Sequence, residues 1–193
     1  MIPLAVLSPR YWTIGTPYGQ DISSSLKQMI VRTTYLELPA DAPIERSNRR
    51  HPDYQLHQAI APRPEFTRFL YTAVGYQWNW TRRLSWSYAE WEQYLSDDRI
   101  ETWVVYVTGS IAGYFELAVE DDVEIRQFGM LKYFIGCGIG GSLLYDAVNR
   151  GRALGSGRVW LHTCTDDHPH AIGNYRARGF RVFKEDVESE NRP

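Results

Sequence analysis

Cysteine, long apolar runs and an excess of either charge are all scarce in this sequence. Only two of the 193 residues are cysteines, Cys137 and Cys164, so we expect no disulfide framework or cysteine-based zinc site and a reducing, cytoplasmic location. No apolar stretch approaches the roughly 20 residues that span a bilayer, so no membrane segment is expected. The formal net charge of −2 offers no basic surplus for nucleic acid. These features favour a soluble globular protein.

Aromatic residues, by contrast, are abundant, with seven Trp and thirteen Tyr. Most of the Trp lie between residues 78 and 103, where they are expected to pack in a core or to line a ligand pocket. Residues 1–28, which Pro and Gly interrupt repeatedly, are expected to form a loosely ordered N-terminal extension. Residues 29–185 are expected to form one domain, and the charged residues 186–193 a frayed tail.

The spacing of apolar residues predicts an α+β fold, in which helices flank a mixed, mostly antiparallel sheet with one βαβ crossover. Strands are expected at 30–38, 102–107, 111–119, 123–131, 159–164 and 180–183. Helices are expected at 66–75, after the capping box that begins at Ser87, around 143–154 and at 168–178. The polar, Pro-containing segment 39–64 is expected to be a long connection.

A glycine-rich segment lies between the strand that ends at Leu131 and the helix that contains Leu143. It consists of Ile135, Gly136, Cys137, Gly138, Ile139, Gly140, Gly141 and Ser142. Glycines let a backbone approach a ligand closely, and the N-terminus of the following helix adds partial positive charge. The segment therefore predicts a binding site for a phosphate or diphosphate.

Two nucleotide-binding motifs resemble this segment but do not fit its surroundings, and a third is absent. Gly136, Gly138 and Gly141 satisfy the dinucleotide pattern GxGxxG, and Gly-Cys-Gly is similar to the first motif of S-adenosylmethionine methyltransferases. Both of those folds place the loop early and need several βαβ units after it, whereas little of this chain follows Gly141. A P-loop would need Gly-Lys-Ser/Thr after the glycines.

From Glu124 to Phe180 the chain resembles the Gcn5-related N-acetyltransferase superfamily, GNAT. The central motif of that family, Arg/Gln-x-x-Gly-x-Gly/Ala, matches the segment from Ile135 to Gly140, except that Ile135 stands where the family has Arg or Gln. A family pattern of Asn, Ala and Tyr followed by Gly-Phe appears downstream as His168, Ala171, Tyr175 and Gly179-Phe180. The resemblance extends over about residues 30–185, because the order of the earlier elements also agrees.

This resemblance implies an enzyme that uses acetyl-CoA as its acyl donor, needs no metal, and acylates a primary amine by direct attack in a ternary complex. It implies cofactor contacts from Phe128, Gly129, Met130, the eight residues Ile135 to Ser142, and His168. By the same resemblance Tyr175 is the general acid and Glu124 the base. Weaker candidates for the base are Glu116, His162, Asp167 and His168. A ping-pong route through Cys137 is disfavoured, because a nucleophilic cysteine needs a neighbouring base.

The acceptor site is expected, again from the resemblance, between the two helices that follow residue 64 and the hairpin at 107–111. Phe69, Tyr71, Trp78, Trp80 and Trp86 would line it. An aromatic wall favours a small-molecule amine over a protein lysine as the acceptor, with no nucleic acid or membrane partner, and a homodimer is compatible with these features. Two alternatives stay open. One is a catalytically inactive acyl-CoA sensor, which the departures at Ile135 and His168 suggest, and the other is a protein-lysine acetyltransferase.

Overall fold

A computed structural model describes residues 27–45, 50–155 and 157–192, which form one seven-stranded sheet with helices on both faces. The strands are β1 (Lys27–Leu38), β2 (Tyr54–Gln58), β3 (Ile100–Val107), β4 (Ser110–Val119), β5 (Val123–Met130), β6 (Val159–Cys164) and β7 (Arg181–Arg192). The α-helices are α1 (Pro64–Gly75), α2 (Tyr88–Leu95), α3 (Ile139–Leu154) and α4 (Ala171–Arg176). The predicted N-terminal extension lies outside the described residues, except that Lys27 and Gln28 begin β1.

The sheet has the strand order β2-β3-β4-β5-β6-β1-β7. Neighbouring strands are antiparallel except β5 and β6, which are parallel and are connected through α3. This arrangement confirms the predicted α+β class, including its single parallel crossover. In the described part of the chain, no helix combines the length and apolar character that crossing a bilayer requires.

Strand β2 lies within the segment that the sequence analysis treated only as a connection. It pairs with β3 along its whole length, from Tyr54 opposite Val107 to Gln58 opposite Trp103. Tyr54 is buried and donates a hydrogen bond from its hydroxyl to Asp146 at 2.8 Å. Because β2 is an edge strand of mainly polar residues, its sequence carries a weak strand signal.

Strand β7 corrects the prediction of a frayed tail from residue 186. It runs to Arg192 and pairs with β1, with Asp186 opposite Thr33, Glu188 opposite Val31 and Glu190 opposite Met29. The backbone edge of β1 supplies the hydrogen-bonding partners that stabilise this charged segment. Charged residues are common on edge strands, because water reaches their side chains and repulsion prevents edge-to-edge aggregation.

Two apolar clusters cover the sheet on opposite faces. Along β3, Val105 belongs to the cluster beneath α3, whereas Val104 belongs to the cluster beneath α1. Successive side chains of a strand point to opposite faces, so these two neighbours mark the two sides. Leu143 and Leu144 of α3 are fully buried, as the predicted amphipathic pattern of that helix requires.

The N-terminus of α2 carries the predicted capping box and supports a stability prediction. Ser87 Oγ accepts the Glu90 backbone N–H at 3.3 Å, and the Glu90 carboxylate accepts the Ser87 backbone N–H at 2.6 Å. Ser87→Ala is expected to lower the free energy of unfolding by about 1 kcal/mol, measured by urea denaturation. The exposed neighbour Ser85 provides the control, since Ser85→Ala should change stability by less than about 0.5 kcal/mol. Equal effects of the two substitutions would contradict the capping role.

Candidate active site

A cavity of about 880 Å³ opens where β5 and β6 separate. The two strands pair only at their starts, Val123 with Val159 and Glu124 with Trp160. On its other side, β5 remains paired with β4 as far as Met130. The second half of β5 therefore presents an unpaired backbone edge towards the cavity, which can hydrogen-bond an extended ligand.

A β-bulge shapes this wall of the cavity. Ile125 pairs with Leu117 and Gln127 pairs with Glu116, so Arg126 is the extra residue in β5. A bulge bends its strand and redirects the side chains that follow it. The bulge at Arg126 therefore lies where β5 begins to diverge from β6.

The glycine-rich segment forms the cavity wall at the N-terminus of α3. Gly136 and Gly138 have φ values of 84° and 79°, in the left-handed region that glycine adopts without strain. Gly138 is the N-cap of α3, and no side chain caps this end of the helix. The first turn of α3 thus retains backbone N–H groups without helical partners. Together with the helix dipole, these groups suit an anion.

Most of the predicted site residues line this one cavity. Those that do so are Glu124, Phe128, Gly129, Met130, Ile135, Gly136, Gly138, Gly140, Gly141, His168 and Tyr175. Cys137, Ile139 and Ser142 do not line it. Cys137 is exposed, with Sγ 3.7 Å from the carbonyl oxygen of Tyr133. Ile139 and Ser142 belong to α3 and are buried. For Ile139 and Ser142, only the backbone groups remain available to a ligand.

Tyr175 lies on α4 with its ring packed between two aromatic side chains. The ring centroids of Phe128 and Phe180 are 6.1 and 6.0 Å away. Only 6% of Tyr175 is exposed, although the residue borders the cavity. Burial and, to a smaller extent, the charge of Asp167 raise the pKa of Tyr175 above its usual value of 10.0. Its hydroxyl therefore keeps its proton at neutral pH.

Asp167 links three parts of the structure beside Tyr175. Its carboxylate accepts hydrogen bonds from Thr163 Oγ1 at 2.8 Å, the Cys164 backbone N–H at 3.0 Å and Trp80 Nε1 at 3.1 Å. With these donors already occupying the carboxylate, Asp167 is a poor candidate for a base. Its position instead fixes the turn that follows β6.

A short strap, residues 78–80, contacts the turn at residues 166–168 across the cavity. Besides the bond from Trp80, Asn79 Nδ2 donates to Asp166 at 3.4 Å, and the rings of Trp78 and His168 lie 5.0 Å apart. All of these side chains line the cavity. The strap therefore forms part of the cavity wall, held to the turn that follows β6.

Glu124 and His162 face each other at the point where β5 and β6 separate. His162 Nδ1 lies 3.4 Å from Glu124 Oε1, and Arg126 Nε donates to Glu124 Oε2 at 2.8 Å. Although burial opposes ionisation, the hydrogen bonds from His162 and Arg126 lower the pKa of Glu124. The Glu124 side chain is 11% exposed, whereas the His162 side chain is 41% exposed. The imidazole is thus the more accessible member of the pair.

Glu116, a weaker candidate for the base, is fully buried outside the cavity. It forms a bidentate ion pair with Arg83 at 3.0 and 3.3 Å and accepts a hydrogen bond from Tyr94. Burial of a charged pair requires such complete pairing. Arg83 also lies over the ring of Trp86 at 5.1 Å, so this cluster anchors the loop between α1 and α2.

The predicted aromatic wall of the acceptor site is only partly present. Tyr71, Trp78 and Trp80 line the cavity, whereas Phe69 and Trp86 do not. Phe69 is 51% exposed on α1, and Trp86 packs on Trp91 with a centroid distance of 5.0 Å. Further aromatic lining residues, Tyr35 on β1 and Trp160 on β6, were not predicted, because only the sheet order brings them to the cavity.

Arg178 is a cavity residue that the sequence analysis missed. It follows α4 and lies against Gly141 in the first turn of α3. The sequence offers only indirect evidence that Arg178 belongs to the site. The glycine segment lacks the usual basic or amide side chain at Ile135, and Arg178 lies close to Tyr175 in sequence.

Comparisons with known proteins agree with this fold. The model of the acetyltransferase (GNAT) family matches residues 53–180, well over half of the chain. A search of curated proteins found no significant match. The family match begins just before β2 and ends just after α4, so it includes the glycine segment and Tyr175.

Solved structures share the fold at low sequence identity. A GCN5-related N-acetyltransferase from Sphaerobacter thermophilus has a TM-score of 0.62 and 18% identity, over 85% of this chain and 53% of that chain. A functionally unknown conserved protein from Staphylococcus epidermidis has a TM-score of 0.59 and 23% identity, over 85% and 63%. A GCN5-related N-acetyltransferase from Kribbella flavida has a TM-score of 0.56 and 13% identity, over 86% and 60%.

The chain thus spans less than two thirds of the length of these three proteins. The family model matches residues 53–180, a range that contains the glycine segment, the parted strands β5 and β6, and Tyr175. The chain belongs to the GNAT acetyltransferase family.

Proposed function

We propose that this protein is a cytoplasmic N-acetyltransferase that moves the acetyl group of acetyl-CoA to the primary amine of a small molecule. The amine attacks the thioester directly in a ternary complex. The observation that carries this proposal is that one cavity joins the uncapped α3 N-terminus, the Glu124–His162 pair and Tyr175.

The residues on the cavity wall fit coenzyme A. The uncapped N–H groups in the first turn of α3 match a diphosphate, and the unpaired edge of β5 from Phe128 to Met130 matches the amide groups of a pantetheine arm. His168 borders the same space. The thioester, when bound, supplies an activated acyl group. The same backbone donors of β5 are suited to stabilise negative charge that develops on its carbonyl oxygen.

The Glu124–His162 pair is suited to take the proton of the amine. A primary amine has a pKa of about 10, so it must lose a proton before it can attack. Glu124 alone is a weak base, because His162 and Arg126 lower its pKa. We therefore assign the proton to the exposed imidazole of His162, while the Glu124 carboxylate, 3.4 Å from Nδ1, orients the ring.

Tyr175 is suited to protonate the departing thiolate. Burial and, to a smaller extent, Asp167 raise the pKa of Tyr175, so the hydroxyl holds its proton at neutral pH until a strong base such as the departing thiolate forms beside it. The amine loses one proton to His162 before it attacks, and a second proton leaves its nitrogen as the amide forms, which replaces the proton that Tyr175 gives to the thiolate; one proton is therefore released overall, through His162. Exchange with solvent then restores both groups.

A small-molecule acceptor is supported by the aromatic lining of the cavity. This lining includes Tyr35, Trp78, Trp80 and Trp160, and a hydrogen bond to Asp167 holds Trp80 in place. Such a space favours a compact amine with apolar parts over the flexible lysine of a folded protein.

A thiol-release screen tests this proposal. Purified protein is incubated with acetyl-CoA and with amino acids, polyamines, aminoglycosides or peptides, and free thiol is measured. We expect release with at least one small amine, together with the acetylated product by mass spectrometry. Release with peptides alone would indicate a protein-lysine acetyltransferase. Binding of acetyl-CoA without release above the amine-free control would indicate a sensor.

A further inference from the structure

Among the residues that the structure describes, three arginines line the cavity, and they differ in what they contact. They are Arg82, Arg126 and Arg178. Arg126 is held by Glu124, and Arg82 is exposed on the loop between α1 and α2. Arg178 alone of the three lies against the helix turn that carries the glycine segment.

The guanidinium of Arg178 occupies the space over Gly141 that a larger residue would fill. A methyl group at Gly141 would lie 1.9 Å from Nη2 and 2.7 Å from Cζ of Arg178. Gly141 thus permits the guanidinium to rest directly on the first turn of α3. Gly140 and Gly141 border the cavity at the same place.

The protein itself supplies few hydrogen-bond partners to the guanidinium of Arg178. Nη1 donates to the carbonyl oxygen of Asn174 at 3.0 Å, whereas Nε is buried without a hydrogen-bond partner. Within residues 27–45, 50–155 and 157–192, no carboxylate forms an ion pair with it. Burial lowers the pKa of Arg178, with no acidic neighbour to offset this effect. The guanidinium nevertheless stays charged at neutral pH.

Partial burial of a cation with no neighbouring anion costs free energy, and a bound anionic ligand offsets that cost. Here the cation and the uncapped N–H groups of α3 converge on one place, which lacks a basic side chain at Ile135. We propose that Arg178 binds the diphosphate of coenzyme A and replaces the side chain that the loop lacks. This inference rests on the proposed function in one respect, that coenzyme A is the ligand.

The position of Arg178 links this contact to the proposed acid. The backbone N–H of Arg178 donates to the carbonyl oxygen of Tyr175 at 3.0 Å, so both residues belong to one turn. An anion held by Arg178 therefore also fixes the end of α4 from which Tyr175 projects. Arg178 is in this sense a positioning residue as well as a binding residue.

Calorimetric titration with CoA and with 3′-dephospho-CoA tests the assignment. Arg178→Gln is expected to weaken both ligands by the same factor, about 10- to 100-fold, since a charge-assisted pair with the diphosphate is lost from each. Arg178→Lys should recover part of this loss, because it keeps the charge but not the bidentate geometry. Arg176→Gln, a matched change on the exposed side of α4, should leave both affinities within about twofold.

Each outcome decides the inference. Equal affinity of wild type and Arg178→Gln for both ligands would overturn it, as would a loss confined to CoA, which would assign Arg178 to the 3′-phosphate. Thermal unfolding of the free variants checks that α4 is still folded. Failure of the wild-type protein to bind CoA would overturn the proposed function together with this inference, and is distinguishable from failure of Arg178→Gln alone.

Discussion

Tyr175→Phe is expected to lower kcat by about 10²–10⁴ while leaving the affinity for CoA unchanged. The substitution removes the hydroxyl whose pKa burial and Asp167 raise, and it keeps the ring that packs against Phe128 and Phe180. Only the proton donor is lost, so the effect should appear in turnover. The measurement is the rate of thiol release with an amine that wild type acetylates, combined with a calorimetric Kd for CoA.

Tyr133→Phe is the matched control for this substitution. Tyr133 lies just before the glycine segment, is 86% exposed and does not line the cavity. Its variant should turn over at the wild-type rate. Wild-type kcat in Tyr175→Phe would remove Tyr175 from the chemistry. A loss that appears only as weaker CoA binding would show that Tyr175 packs against the ligand and donates no proton.

His162→Ala is expected to reduce kcat/KM by about 10²–10⁴, and free imidazole in the buffer should restore part of the activity. The reason is that His162 presents an exposed ring beside Glu124, which an added imidazole can replace in the space left by alanine. Glu124→Gln should also lose activity, because the ring is no longer oriented, but imidazole should not restore it. The measurement is thiol release at fixed acetyl-CoA over a range of imidazole concentrations.

The control for this pair is His57→Ala. His57 lies on the edge strand β2, where it contacts the ring of Tyr106 at 5.7 Å and does not line the cavity. It should show neither loss nor rescue. Near-normal activity of His162→Ala alongside a large loss in Glu124→Gln would instead assign the proton to Glu124 itself, as the sequence analysis predicted.

The fold was predictable where apolar periodicity is strong. Buried strands such as β4 and β6, and the amphipathic helix α3, lie where the sequence indicates. Strands β2 and β7 were missed or shortened for one physical reason. Both are edge strands with many polar residues, and their backbone pairing comes from β3 and β1, which are distant in sequence. Local pattern carries little information about such long-range pairing.

The site was predictable where a local motif carries it. The glycine segment and Tyr175 meet at one cavity because short connections place them at neighbouring ends of β5 and β6. The link between Glu124 and His162 depends on the register of those two strands, in which Glu124 lies opposite Trp160. The position of Arg178 in the cavity depends on its contact with Gly141, and the spacing of residues in the sequence does not predict that contact.

The central claim is that backbone amides at the start of α3 bind the diphosphate of coenzyme A. It is tested most directly by titrating ¹⁵N-labelled protein with CoA and following the amide resonances of the glycine segment by NMR. We predict that the largest shifts occur at Gly136, Gly138, Gly140 and Gly141, and that S-adenosylmethionine causes none of them. Saturable CoA binding that leaves these four amides unmoved, or no CoA binding at all, would contradict the account.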